Sequence, residues 1–302
     1  MSTRTLGASL GRKALSLLLL IGLVFIGSRL LIRALPGDPI ETIIAESGSS
    51  IPIEQLKEEF GLHLPWYQSL THDLREIVLN GNWGFSLQSR EPVSELLIRH
   101  AQNTWILGSS AFALGILLSM TLASGAALGI RWLDRLCTLH SAFMGALPTP
   151  WLGPILAYIL AVQIPIFEIT GAIGLPLLLL TLNLSAFWSR LLRSRLKSEM
   201  HSDVARYARA KGLRESKILI KHALAPSLGF FLAYFGTQLG QILAGSVITE
   251  ILFDWPGLGT LFIQSVLARD YPLVEGCIFL TGTLILVFTR IGDTLHALWD
   301  PR

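Results

Sequence analysis

Long apolar runs alternate with short polar breaks along the chain, and six of them are long enough to cross a bilayer. A helix needs roughly 20 mostly apolar residues to span the hydrocarbon core. The windows are Ala14–Leu35, Asn103–Ile130, Leu136–Val162, Ala172–Trp188, Ser227–Leu252 and Pro272–Thr289. The third carries Pro148, Pro150 and Pro154, which predicts a kinked or broken helix. Such breaks persist in lipid only where neighbouring protein or a wet cavity satisfies the freed backbone groups. The fourth window is short. Arg12 and Lys13 precede the first, but its apolar run is long and no small-x-small cleavage site follows, so it reads as an uncleaved anchor. The pattern predicts an all-α integral membrane protein with six transmembrane helices.

Composition supports that class. Hydrophobic residues make up 51% of the 302 and charged residues only 15%, against about a quarter charged in ordinary soluble domains, and the mean hydropathy is +0.55. The net charge of +3 is too small and too scattered for a nucleic-acid footprint. Cys137 and Cys277 both lie in apolar stretches, so no disulfide framework is indicated.

Basic residues orient the chain, because cytoplasmic loops carry the excess of Lys and Arg. With six spans, the side holding the N-terminus, residues 131–135, residues 189–223 and the C-terminus carries sixteen Lys and Arg, and the other side six. Both termini are therefore expected in the cytoplasm. The chain divides into an N-terminus with the first span (1–35), an extracytoplasmic region (36–102), and a core of five spans (103–302) that contains the cytoplasmic loop 189–223. Within 36–102, the stretches Ile53–Phe60 and Trp66–Leu79 are amphipathic and predict short surface helices; they serve either as a cap on the bundle or as a docking surface.

The loop 189–223 is the most specific part of the sequence. It reads Ser202-Asp203-Val204-Ala205-Arg206-Tyr207-Ala208-Arg209-Ala210-Lys211-Gly212-Leu213, then Ile220, His222, Leu224 and Pro226. This predicts two short helices flanking a glycine, which turns the chain where a side chain would clash or need positive φ. Small residues on the preceding turn allow close approach of another protein. A basic loop held against anionic headgroups is the alternative. Pro226 is placed at the first turn of the fifth span.

At these residues the chain resembles the permease subunits of binding-protein-dependent ABC importers, in the dipeptide/oligopeptide/nickel branch. Ala208 to Leu213 with Ile220, His222, Leu224 and Pro226 is similar to that superfamily's cytoplasmic EAA loop. Leu35-Pro36-Gly37-Asp38-Pro39, Gly61-Leu62, Gly84 and Ser86, Asn103-Thr104, Trp255-Pro256-Gly257-Leu258-Gly259, Arg269-Asp270-Tyr271-Pro272 and Asp300-Pro301-Arg302 follow the branch's pattern in order. Tyr207 stands where the branch more often has threonine, the nominal glutamate of the loop is missing, and Thr289-Arg290 departs from the usual amide and apolar pair. The resemblance implies a type I (MetI-like) importer permease fold in a bacterial inner membrane. It implies ATPase subunits docked on Asp203, Tyr207, Ala208, Ala210, Lys211, Gly212 and His222, a second homologous permease, and an extracytoplasmic substrate-binding protein. Short peptides are the cargo it implies first, with nickel or another small solute as the alternative.

The residues themselves bear on energy source and path. A phosphate-binding loop of the Gly-x-x-x-x-Gly-Lys-[Ser/Thr] form is missing from the sequence, so ATP is expected to bind a separate subunit. Carboxylates suited to an ion relay are sparse: Glu250 and Glu275 near the outer span ends and Asp293 near the inner. An ion-coupled secondary transporter would favour inverted repeats and buried charges, and an intramembrane enzyme a nucleophile or metal set. Neither pattern is seen, and the seven histidines are scattered. No cofactor is expected. On the fifth span Tyr234, Gln238, Gln241, Gly245 and Thr249 fall on one helical stripe; they either line a wet path or bond between helices. Asn183 and Ser185 on the fourth span are further candidates.

Overall fold

The computed structural model describes residues 3–34, 68, 71, 74–227, 231, 238 and 246–299. Among these the chain is helical apart from turns and one isolated antiparallel bridge, Phe85 to Pro92. The main helices are α1 (Thr3–Ala34), α2 (Val93–Ala127), α3 (Arg131–Ala146), α4 (Thr149–Ala157), α5 (Gly174–Met200), α6 (Asp203–Ala210), α7 (Glu215–Ile218), α8 (Leu258–Leu267) and α9 (Tyr271–Trp299).

Three described helices are long and apolar enough to cross a membrane: Val93–Ala127, Gly174–Met200 and Tyr271–Thr294. The pair α3 and α4, with the wide turn Tyr158–Gln163 that extends α4, makes a fourth if the two halves are one broken span. They meet at 110°. The prolines account for this break: Pro148 caps α4 in extended conformation and Pro150 stands in its first turn, where its missing N–H costs no helical bond. Pro154 lies inside α4, and the wide turn follows one turn later. In α1 the described apolar stretch is shorter, Leu15–Leu30. The fifth expected span falls largely on residues outside those described, as do Tyr234, Gln241 and the helix expected at 53–60. The expectation of six spans is thus matched by up to four among the described residues.

Several boundaries differ from the apolar windows for one reason, that amphipathic periodicity carries a helix beyond its apolar core. The fourth window reads as short, yet α5 runs 27 residues. Leu192, Leu196 and Met200 recur at i, i+4 and i+8 and are buried, while Arg190 and Arg195 are exposed on its other faces. Likewise α2 begins at Val93, inside the polar stretch ahead of its window, because Val93, Leu96 and Leu97 are buried. Of the surface helix expected over 66–79, residues 74–80 are described; they end in a wide turn closed by Gly81.

The chain forms two compact units. The first comprises residues 1–103 and 257–287. Its core packs Val93, Leu96 and Leu97 of α2 against Leu258 and Leu261 of α8 and Leu273 and Cys277 of α9. Gly276 allows this approach: a Cβ there would come within 2.8 Å of the Leu97 side chain. Asp270 caps α9 and is buried; its carboxylate accepts from the Ser86 hydroxyl at 2.5 Å. Arg29 of α1 pairs with Glu275 of α9, Nε to Oε1 2.5 Å, and lies over the Phe25 ring.

The second unit comprises residues 104–256 and 288–302. One core layer joins Leu152 of α4, Leu175 and Leu179 of α5, and Phe253. Another joins Ala123, the end of α5, α6, α7 and the residues after it. This second layer holds α6, α7 and the turn after them against α2 and α5.

Candidate functional site

The loop expected to couple to an ATPase is a small, well-capped structure. α6 starts at Ser202, whose hydroxyl accepts from the Ala205 N–H at 3.3 Å, satisfying one of the orphan donors of a helix start. Asp203 in the first turn complements the helix dipole and pairs with Arg206 at 3.1 Å.

Gly212 ends the helix, with φ +79°. Its N–H donates to the Arg209 carbonyl at 2.9 Å, and the Leu213 N–H reaches back to the Ala208 carbonyl at 3.2 Å. This pair of bonds is the Schellman closure, which needs a residue in left-handed conformation at Gly212. Leu213 then packs against the cluster containing Ala205 and Ala208, the hydrophobic contact that accompanies such a closure. Across the turn, Arg209 grips Glu215 of α7 with two bonds of 2.6 and 3.0 Å, and that guanidinium holds the Glu215 carboxyl below its usual range. The carboxylate is therefore ionised wherever this loop meets neutral solvent.

A Cβ at Gly212 would meet nothing within 4 Å, so substitution there is opposed by backbone conformation alone. Gly212→Val should cost roughly 1–2 kcal/mol in the loop and Gly212→Asn clearly less, since Asn tolerates the left-handed region. Limited proteolysis of the membrane-inserted chain at this turn reads that order. Equal resistance of both variants and the parent would refute the closure.

Two of the small residues expected to face a partner, Ala205 and Ala208, turn inward instead. Ala205 and Ala208 are buried against Leu192, Leu196 and Met200 of α5 and against Ile218, Leu219 and Ala223, so they serve the chain's own packing. Outward, α6 presents Val204 (58% exposed) and Tyr207 (64%), with the Lys211 ammonium 4.6 Å from the Tyr207 ring centre. Ala210, Lys211 and Gly212 are also exposed. The result is an apolar knob on a charged loop.

After α7 the helix continues through a wide turn, Leu219–Leu224, into 225–227. His222 lies half-buried on that turn. Pro226 thus does not start a helix, as its position in the sequence suggests, but sits inside one. The wide turn immediately before it makes room for the proline ring, which clashes with the carbonyl four residues back in regular geometry.

Behind the loop lies a polar seam between α3 and α5. Asp134 receives Arg193 Nε at 2.6 Å and Lys197 Nζ at 2.8 Å. One turn on, the Cys137 thiol points at the Ser189 carbonyl at 3.7 Å. A further turn on, His140 Nε2 and Ser185 Oγ share a hydrogen bond of 2.9 Å. The rungs step by three along α3 and by four backwards along α5, as antiparallel helices crossing at a shallow angle require. Neither Asp134 nor His140 stood out in the sequence, although polar residues every third position in a helix were the available signal.

Of the candidate path residues, Asn183, Gln238 and Thr249 lie among those described. The Asn183 amide donates to the Leu179 carbonyl of its own helix at 3.1 Å. Gln238 is half-buried. Thr249 is fully buried, and its hydroxyl has no hydrogen-bond partner among the described residues. Glu250, beside it, is buried and accepts from the Thr104 and Ser246 hydroxyls at 2.8 and 2.9 Å. Among the described residues no group of three or more His, Cys, Asp or Glu is placed to hold a metal ion.

The family model described as "Binding-protein-dependent transport system inner membrane component" matches residues 111–302. The nickel import system permease protein NikB of Staphylococcus aureus, in strains USA300, NCTC 8325 and COL, is 30% identical over 282 residues, covering 90% of this chain and 84% of the relative.

Proposed function

Because the chain belongs to the family of binding-protein-dependent transport system inner membrane components, we propose that it forms one half of an ATP-driven import path. Its other half is a second, similar permease, a soluble binding protein delivers cargo from outside, and ATPase subunits dock from the cytoplasm. The single observation that carries the docking claim is the outward face of α6. Val204 and Tyr207 form an exposed apolar knob on α6 among its charged residues, and the Gly212 closure and the Arg209–Glu215 pair hold that helix in place. An aromatic residue ringed by polar ones is the usual anchor of a protein interface. The ATPase groove receives this knob, and the buried face of α6 passes its movement to the end of α5.

The cargo we propose is nickel, because relatives that cover most of this chain carry that activity in their names; the short peptide implied by the sequence resemblance is the second reading. Selection rests chiefly on the binding protein. Gln238, Gln241, Tyr234 and Thr249 remain the proposed path on the fifth span.

Uptake decides the matter. Cells lacking this chain should lose accumulation of labelled nickel while labelled dipeptide uptake continues, and restoring the chain should restore nickel uptake only while ATP is available. Loss of dipeptide uptake alone would transfer the assignment to peptides. Uptake that persists on an ion gradient after ATP depletion would overturn the ATP-driven reading.

A further inference from the structure

We propose that the outer face of α3 binds an anionic phospholipid from the cytoplasmic leaflet. Trp132, Leu136, Leu139 and Phe143 recur at spacings of four, three and four and are all exposed, so they form one narrow apolar stripe along the helix. The stripe lies away from the seam of Asp134, Cys137 and His140 that faces α5. At a rise of 1.5 Å per residue it is about 16 Å long, roughly half the thickness of the hydrocarbon core and so the depth of one leaflet.

At its head the stripe carries Trp132, 65% exposed, with Arg131 and Arg135 beside it. Both arginines are exposed, and neither has a carboxylate partner among the described residues. The acid nearest in sequence, Asp134, is already held by Arg193 and Lys197. Four residues apart, the two guanidinium groups are neighbours on one face and repel each other. A phosphate between them removes that repulsion, an indole beside them sits at headgroup level, and acyl chains lie along Leu136, Leu139 and Phe143. A zwitterionic lipid offers the same phosphate but brings a cationic headgroup beside the two guanidinium groups and so leaves their net charge uncompensated. The occupant is therefore a lipid with net negative charge.

The test is tryptophan quenching of the full-length chain in phosphatidylcholine vesicles containing brominated phosphatidylglycerol or, for comparison, brominated phosphatidylcholine. The parent should be quenched more strongly by the anionic lipid, and Trp132→Phe should remove most of that difference. Each basic side chain near an anionic surface is worth roughly a fivefold preference. Arg131→Gln with Arg135→Gln should thus lower the preference by an order of magnitude or more. If that variant fails to insert, raising the salt concentration on the parent protein reads the same charge dependence. Equal quenching by both lipids overturns the proposal and leaves ordinary boundary lipid. A Trp132 shielded from both in the assembled complex overturns it in favour of a second permease covering this face. None of these readouts requires uptake, so they stand or fall independently of the cargo.

Discussion

Val204→Asp combined with Tyr207→Asp is expected to release the ATPase from the purified complex and to abolish uptake, while the chain still inserts and resists proteolysis like the parent. Both side chains are more than half exposed, so their replacement should change the stability of this chain by no more than about 0.5 kcal/mol. In a docked interface the same change sets two charges into a desolvated pocket. Loss of a hot-spot aromatic alone costs about 2–4 kcal/mol, which weakens binding by roughly 30- to 1,000-fold. Ala205→Leu supplies the contrasting experiment. It overfills a fully buried position between α6 and α5 and should destabilise the loop by roughly 1–3 kcal/mol without altering the exposed face. Co-purification of the ATPase with both variants, measured beside thermal unfolding, separates docking from folding. Retention of the ATPase and of uptake by the double aspartate variant would remove α6 as the coupling element.

The second large effect concerns Arg29 and Glu275. Arg29→Leu leaves a nearly buried carboxylate on α9 without its guanidinium, and breaking a buried pair from one side costs about 3–5 kcal/mol. Glu275→Leu should cost less. The Arg29 side chain is 28% exposed and long enough to carry its charge toward the interface, and its contact with Phe25 survives. Replacing both by leucine removes the unpaired charge and should recover most of the loss, since two apolar residues of similar volume often substitute for a buried pair at little cost. Amount of folded protein in the membrane and unfolding temperature in detergent give the three values. A double variant as unstable as the sum of the singles would show that the pair does not join α1 to α9.

Much of this was legible in the sequence, and particular residues show why. Apolar windows located α2, α5 and α9, because the length of an apolar run is a local property set by the bilayer. Pro148 and Pro150 announced the break between α3 and α4, since a proline acts on its own backbone. Gly212 announced the turn for the same reason, and its φ of +79° shows the requirement.

Other features rest on partners distant in sequence. That Ala205 and Ala208 face inward depends on Leu192, Leu196 and Met200 of α5 occupying one side of α6; periodicity defines a face but does not say what covers it. Asp134 finds Arg193, and His140 finds Ser185, only once α3 and α5 lie antiparallel, so no window around either residue contains the information. The charge count assigned the loop to a side of the membrane, because lipid discriminates charge without reference to fold. Its outward knob of Val204 and Tyr207 was decided by tertiary packing, because burying the two alanines leaves the opposite face of the helix exposed.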